Sequence, residues 1–236
     1  MPAPDPSFGW AQAITAYAIV LVVAFLVTWV VTDRLHVSRT PYVGILTLVS
    51  LGLFAGYLAW SETSLAELLT DGWAWGILAG VIAGLIVAPG LRRYPAHEHP
   101  HGVPLAERFV WEGVVYGIAE AVLLATLPVL AVWQASADLG WTESAWAKVG
   151  SGALAIVGAL LVILVHHLGY REFRSPEKRP MLAGALLGCG VQALAFLLTG
   201  NVLAPVIAHV VLHIQMIMRG IDMPPASERV ALNVHA

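Results

Sequence analysis

Seven stretches of 17 to 25 residues in this chain are nearly free of charge and follow one another with short polar breaks: Trp10–Thr32, Tyr42–Trp60, Trp73–Gly90, Phe109–Trp133, Trp146–His167, Met181–Leu198 and Val202–Met218. A helix crosses the hydrocarbon of a bilayer with about 20 apolar residues, and it satisfies its backbone polar groups within one segment. The pattern therefore predicts an all-α fold, a polytopic transmembrane helix bundle of about seven spans forming a single integral membrane domain over 1–236. Spans one to three, about 10–90, read as scaffold. Composition agrees, with 58% hydrophobic and only 11% charged residues among 236, where a soluble domain carries about a quarter charged. That balance excludes a soluble enzyme and a disordered chain. Twelve Lys and Arg against fifteen Asp and Glu leave no basic footprint for nucleic acid. The single cysteine, Cys189, sits in an apolar run and reads as a small buried side chain. The opening MPAPDPSFGW has no basic region, so the first span is expected to be retained and not cleaved. The expected place of the protein is the cell membrane, multi-pass, with the lipid bilayer as its first partner.

Charge placement predicts the orientation. Arg34, Arg39, Arg92, Arg93, Arg108, Arg171, Arg174, Lys178, Arg179, Arg219 and Arg229 fall on one side of the seven-span arrangement, and Lys148 alone falls on the other. Cytoplasmic loops carry the excess of basic residues, which puts the N-terminus outside and the C-terminus in the cytoplasm. Trp10, Trp60, Trp73, Trp75, Trp133, Trp141 and Trp146 gather at the outer boundary as an aromatic belt would.

Glycines recur every four residues at Gly72, Gly76, Gly80 and Gly84 in the third span, with shorter repeats at Gly113 and Gly117 and at Gly184 and Gly188. Bare backbone on one helix face permits close helix contact in lipid, and packing within one chain is the simpler reading. Pro128 and Pro205 are expected to kink their helices, Pro205 freeing the Asn201 carbonyl.

Ionisable groups inside spans are expensive, face the bundle interior, and mark function by default. Glu112, Glu120, His166, His167, His209 and His213 are such groups, and they fall on spans four, five and seven only. His209 and His213 are four residues apart and share one helix face. His166 and His167 differ by about 100°, so one of them is expected to point inward. Glu112 and Glu120 differ by about 80° and can both border a broad inner face. Counted from the cytoplasmic arginines at about 1.5 Å per residue, the six lie in the cytoplasmic half or at the midplane. A polar cavity open to the cytoplasm is the economical expectation. The loop Pro95–Pro104 adds His97, His99 and His101; alternating histidines can capture a transition metal, but a solvated loop is the simpler reading.

The stretch from Gly184 to His213, GALLGCGVQALAFLLTGNVLAPVIAHVVLH, resembles the last signature of the CAAX-protease and bacteriocin-processing (CPBP, or ABI) intramembrane peptidases. Thr199, Gly200 and Asn201 stand in the turn of that signature, and Ala204, Pro205, Ala208 and His209 in its Ala-Pro-x-x-Ala-His helix. His213 stands where the family has Asn, Asp or His. The family's earlier histidine resembles His166 or His167, and the likeness covers spans four to seven, about 107–218. The family's Glu-Glu pair has no counterpart, so Glu112, in Glu107-Arg108-Phe109-Val110-Trp111-Glu112, and Glu120 both remain candidates for its acid.

The resemblance implies a divergent intramembrane endopeptidase in which a glutamate activates water, histidines stabilise the oxyanion, and no cofactor is required. Membrane-embedded or lipidated peptides are the implied substrates. The pair His209/His213 can also take a divalent metal if a glutamate joins it. Two other readings of the same residues are a non-catalytic CPBP-like scaffold that binds partners, and a bis-histidine haem protein with one imidazole from span five and one from span seven.

Overall fold

The computed structural model describes residues 8–94, 96–98, 101–176 and 179–221. Six helices are long and apolar enough to cross a membrane: α1 Trp10–Arg34, α2 Arg39–Ser61, α3 Trp73–Arg93, α4 Val103–Asp138, α5 Ala145–Gly169 and α6 Arg179–Thr199. A shorter apolar helix, α7, spans Leu203–Met218. The protein is thus an all-α, multi-pass membrane bundle. Helix starts follow local chemistry: Ser64 accepts a hydrogen bond from the Glu67 amide at the head of the short helix Leu65–Thr70, and Ser144 accepts one from Ala147 ahead of α5. Gly200, at φ +65°, makes the left-handed turn between α6 and α7.

The helix α4 is the axis of the bundle. It runs for 36 residues, and 83% of its most apolar window is buried, against 28–44% for the other five long helices. It is also irregular. Two π-helical stretches, Phe109–Val115 and Ala121–Thr126, flank one α-helical turn, Tyr116–Glu120. Such insertions re-aim side chains along a helix and recur at functional sites. Pro128 lies just after the second stretch, in the first turn of the regular helix Leu127–Asp138.

The glycine repeats do pack within the chain: Gly184 and Gly188 of α6 face Tyr94 and Val87, while those of α3 and α4 grip α7 from two sides. A Cβ at Gly80 would stand 2.7 Å from the Ala204 carbonyl, and one at Gly84 would stand 2.8 Å from Val211. On the opposite side, a Cβ at Gly117 would come within 3.2 Å of the Val210 backbone, and one at Gly113 within 3.2 Å of Ile214. The helix carrying His209 and His213 therefore lies in a trough without side chains. Its start is pinned by Asn201, whose amide donates to the Leu69 and Asp71 carbonyls at 3.0 and 2.9 Å while its oxygen accepts from Leu203. Pro205 differs from expectation. It falls in the first turn of α7, where a missing N–H is tolerated, and the Asn201 carbonyl is taken up by the Ala204 amide at 3.1 Å.

Polar contacts gather at both ends of the bundle. At one end Arg174 meets Asp33 at 3.1 Å, Arg39 and Arg108 meet Glu112, and Arg219 donates to the Tyr94 carbonyl. At the other, the Trp10 amide donates to Asp138 and Asn201 holds the Leu69–Asp71 turn.

Candidate active site

Glu120 is the centre of the site. It ends the α turn between the two π-helical stretches and is 6% exposed. Its Oε2 lies 3.0 Å from His213 Nε2 and 3.6 Å from His209 Nε2, and its Oε1 lies 3.5 Å from His166 Nε2. Two helices that are remote in sequence, α5 and α7, thus aim three imidazole nitrogens at one carboxylate. The four residues are buried, and Cys189 of α6 closes the group with its sulfur 4.0 Å from His209 Nε2.

Two of the three rings are oriented from behind. His213 Nδ1 lies 2.9 Å from the Glu112 carbonyl and His166 Nδ1 lies 3.2 Å from the Ala24 carbonyl. A carbonyl only accepts, so both rings carry a proton on Nδ1. Thr28 Oγ1, 2.9 Å from His166 Nδ1, adds a second contact. This meeting depends on Gly169, where a Cβ would stand 2.7 Å from Thr28; the close approach of α1 and α5 there needs a glycine. By contrast, His209 Nδ1 has no hydrogen-bond partner among the described residues.

Beyond His166 lies a hydroxyl cluster that no ionisable-residue search finds. Tyr170 sits at its hub, with its OH 2.7 Å from that of Tyr42, 2.9 Å from that of Tyr116 and 3.4 Å from His166 Nε2. Burial holds the Tyr170 phenol well above its ordinary range, so it keeps its proton. Tyr116 also lies under the Arg39 guanidinium, 4.7 Å from ring centre to Cζ.

Four of the six candidates from the sequence meet here: Glu120, His166, His209 and His213. The other two lie apart from the carboxylate centre. His167 turns away, its Nδ1 bonded to the Ile163 carbonyl at 2.8 Å and its ring edge-on to Phe173. Glu112 is held by Arg108 through both oxygens, at 3.2 and 3.1 Å, and by Arg39 at 3.1 Å. It reaches the centre through its backbone carbonyl alone. Thr28, Tyr42, Tyr170, Arg39 and Cys189 had carried no functional expectation.

The chemistry available is that of a buried carboxylate among imidazoles: proton transfer, oxyanion stabilisation and metal coordination. Glu120, His209 and His213 offer ligand atoms within 4.8 Å of one another, a group able to hold a divalent metal ion. Among the described residues no such group forms in the loop of His97 and His101, and His99 lies outside those residues. Glu120 stands between His166 and the α7 histidines, where a haem plane would have to pass. No family model matches the chain, and neither does any curated protein or solved structure.

Proposed function

We propose that the chain is a membrane-embedded hydrolase of CPBP-like type, an intramembrane endopeptidase acting on membrane-embedded or lipidated peptides. The observation that carries this reading is one carboxylate, Glu120, with three imidazole nitrogens within 3.0–3.6 Å of it in the buried interior. Its Oε1 takes a proton from a water as the hydroxide oxygen bonds to the scissile carbonyl carbon. His209, whose tautomer no group among the described residues fixes, carries the Nε2 proton that meets the resulting oxyanion. The proton held by Glu120 then passes to the leaving nitrogen as the C–N bond breaks. His166 and His213, locked by carbonyls behind them, flank the carboxylate.

The reading places seven crossings in the bilayer, the N-terminus outside, and the cavity toward the cytoplasm, supported by the gathering of Arg39, Arg108, Arg174 and Arg219 at one end. In intact cells, cysteines replacing the exposed Ala66 and Glu143 should react with an impermeant thiol reagent, and cysteines replacing Glu98 and Arg171 should not. Labelling of the second pair alone would reverse the orientation.

The activity is tested with the purified chain in proteoliposomes and a quenched lipidated peptide. Hydrolysis is expected from the wild-type chain and none above background from Glu120→Gln. Equal cleavage by both, or by neither, sinks the hydrolase reading, and neither cleaving is the result for a partner-binding scaffold.

A further inference from the structure

We infer that Glu120, His209 and His213 hold one first-row divalent cation of the zinc class. The inference deepens the hydrolase reading and rests on it only for the chemistry the ion would serve. The primary observation is a contact that lacks a hydrogen. The Glu112 carbonyl fixes the His213 proton on Nδ1, so Nε2 presents a lone pair, and it presents that lone pair to Glu120 Oε2 at 3.0 Å. Two acceptors at that distance in a buried site require a positive centre between or beside them, either an added proton or a metal ion.

Spacing favours the ion. Tetrahedral bonds of about 2.0–2.1 Å place ligand atoms about 3.3 Å apart, and the two measured separations from Oε2, 3.0 and 3.6 Å, straddle that edge. The donor set is also suited. Two imidazoles at i and i+4 on one helix face, with a carboxylate from another helix, leave a fourth position open, as catalytic zinc requires. One ligand ring already has the support that such sites use. His213 donates its remote N–H to a backbone carbonyl, and the residue owning that carbonyl is tied by Arg39 and Arg108. For His209 the protein supplies no partner at Nδ1, so an ion at Nε2 would fix a ring that the described residues leave unfixed. With Oε2 and the two Nε2 atoms on an ion, His209 would carry its proton on Nδ1 and the ion would take over the oxyanion contact given above to its Nε2 proton, while Oε1 still faces His166 at 3.5 Å and remains available to take a proton.

The experiment uses the full chain with a tag free of histidine, purified in detergent, equilibrated with zinc alone and passed through a desalting column. Elemental analysis is expected to return about one zinc per chain. Glu120→Gln, His209→Gln and His213→Asn should each lower retention at least tenfold, while His167→Gln and the pair His97→Gln/His101→Gln leave it unchanged. Cobalt in place of zinc should give the intense visible bands of a four-coordinate centre, lost in His213→Asn. Circular dichroism and a single gel-filtration peak confirm that each variant is folded; for any that is not, zinc titrated into the wild-type chain must raise its melting temperature. A folded wild-type chain that retains no zinc, or three variants that retain as much as wild type, overturns the site. Peptide hydrolysis by a chelator-treated, zinc-free chain also overturns it while leaving the hydrolase reading standing. Zinc bound through these three residues without any hydrolysis does the reverse.

Discussion

Glu112 and Glu120 lie eight residues apart on one helix, and their surroundings are opposite in kind. Glu112 faces two guanidinium groups, from Arg39 and Arg108, at 3.1–3.2 Å. Glu120 faces three imidazoles and no Arg or Lys pairs with it among the described residues. A carboxylate between arginines has its charge compensated permanently, because arginine does not give up its proton. A carboxylate among imidazoles has neighbours whose free ring nitrogens can accept a proton or bind a metal. The same side chain is thus a structural tie at one level of the helix and a reactive group at the next. The difference comes from Arg108, one turn before Glu112 on the same helix, and from what the other helices bring.

The largest test of this contrast is activity. Glu120→Gln should lower peptide hydrolysis by roughly 10²–10⁴-fold, the range for loss of a general base. Glu112→Gln should leave turnover within about tenfold of wild type, because its contribution to the centre is a backbone carbonyl that the substitution keeps. Reversed effects in the same hydrolysis assay would exchange the two roles.

Stability should separate the two glutamates in the other direction. Arg39→Met leaves Glu112 with one guanidinium partner fewer in a site where Arg39 is only 5% exposed. Breaking a buried pair from one side costs about 3–5 kcal/mol, while replacing both partners by apolar groups recovers most of it. Denaturant unfolding in micelles should therefore show Arg39→Met well below wild type and the double variant Arg39→Met/Glu112→Met between them. Glu120→Gln should stay within about 1 kcal/mol of wild type, since it keeps the side chain's size while removing a buried charge. A comparable loss at Glu120 would mean that both glutamates are structural.

The sequence makes one half of this comparison legible. A histidine pair at i and i+4 in an apolar helix is costly in lipid, so His209 and His213 stand out, and the span limits follow from the same hydropathy. The glycine repeats announce close packing without naming the partner, which turned out to be α7 for those of α3 and α4. What separates Glu112 from Glu120 was not legible. It depends on Arg39, which the charge pattern assigns to a loop boundary and which the fold buries against Tyr116 and Glu112. The irregular turns of α4 were hidden too, because no residue type marks a π-helical stretch. Nor do Thr28, Tyr42 and Tyr170 announce themselves, since hydroxyls are ordinary in membrane helices and the contacts Thr28–His166 and Tyr42–Tyr170 join residues more than 120 apart along the chain.

The smallest expected effect concerns the cluster that joins the two glutamate sites. Tyr116 lies under Arg39 on one side and reaches Tyr170 on the other, and Tyr170 reaches His166. Proton bookkeeping gives this chain a direction. Tyr42 and Tyr116 each have one hydroxyl hydrogen to give to Tyr170, and Tyr170 gives its own to the Nε2 lone pair of His166. Tyr170→Phe removes the hub while keeping the ring, so it should cost about 1 kcal/mol for hydrogen bonds lost in a buried site. Hydrolysis should fall by roughly tenfold through kcat with KM nearly unchanged, the pattern for a positioning residue. The sharper measurement is a double-mutant cycle for turnover with Glu112→Gln. If the cluster transmits the geometry of the arginine-held site to His166, the two substitutions will be non-additive by more than about 0.5 kcal/mol, the usual margin for independent sites. Strict additivity would separate the regions energetically, leaving the His213–Glu112 carbonyl bond as the contact through which the ion-paired glutamate supports the imidazole-bound one.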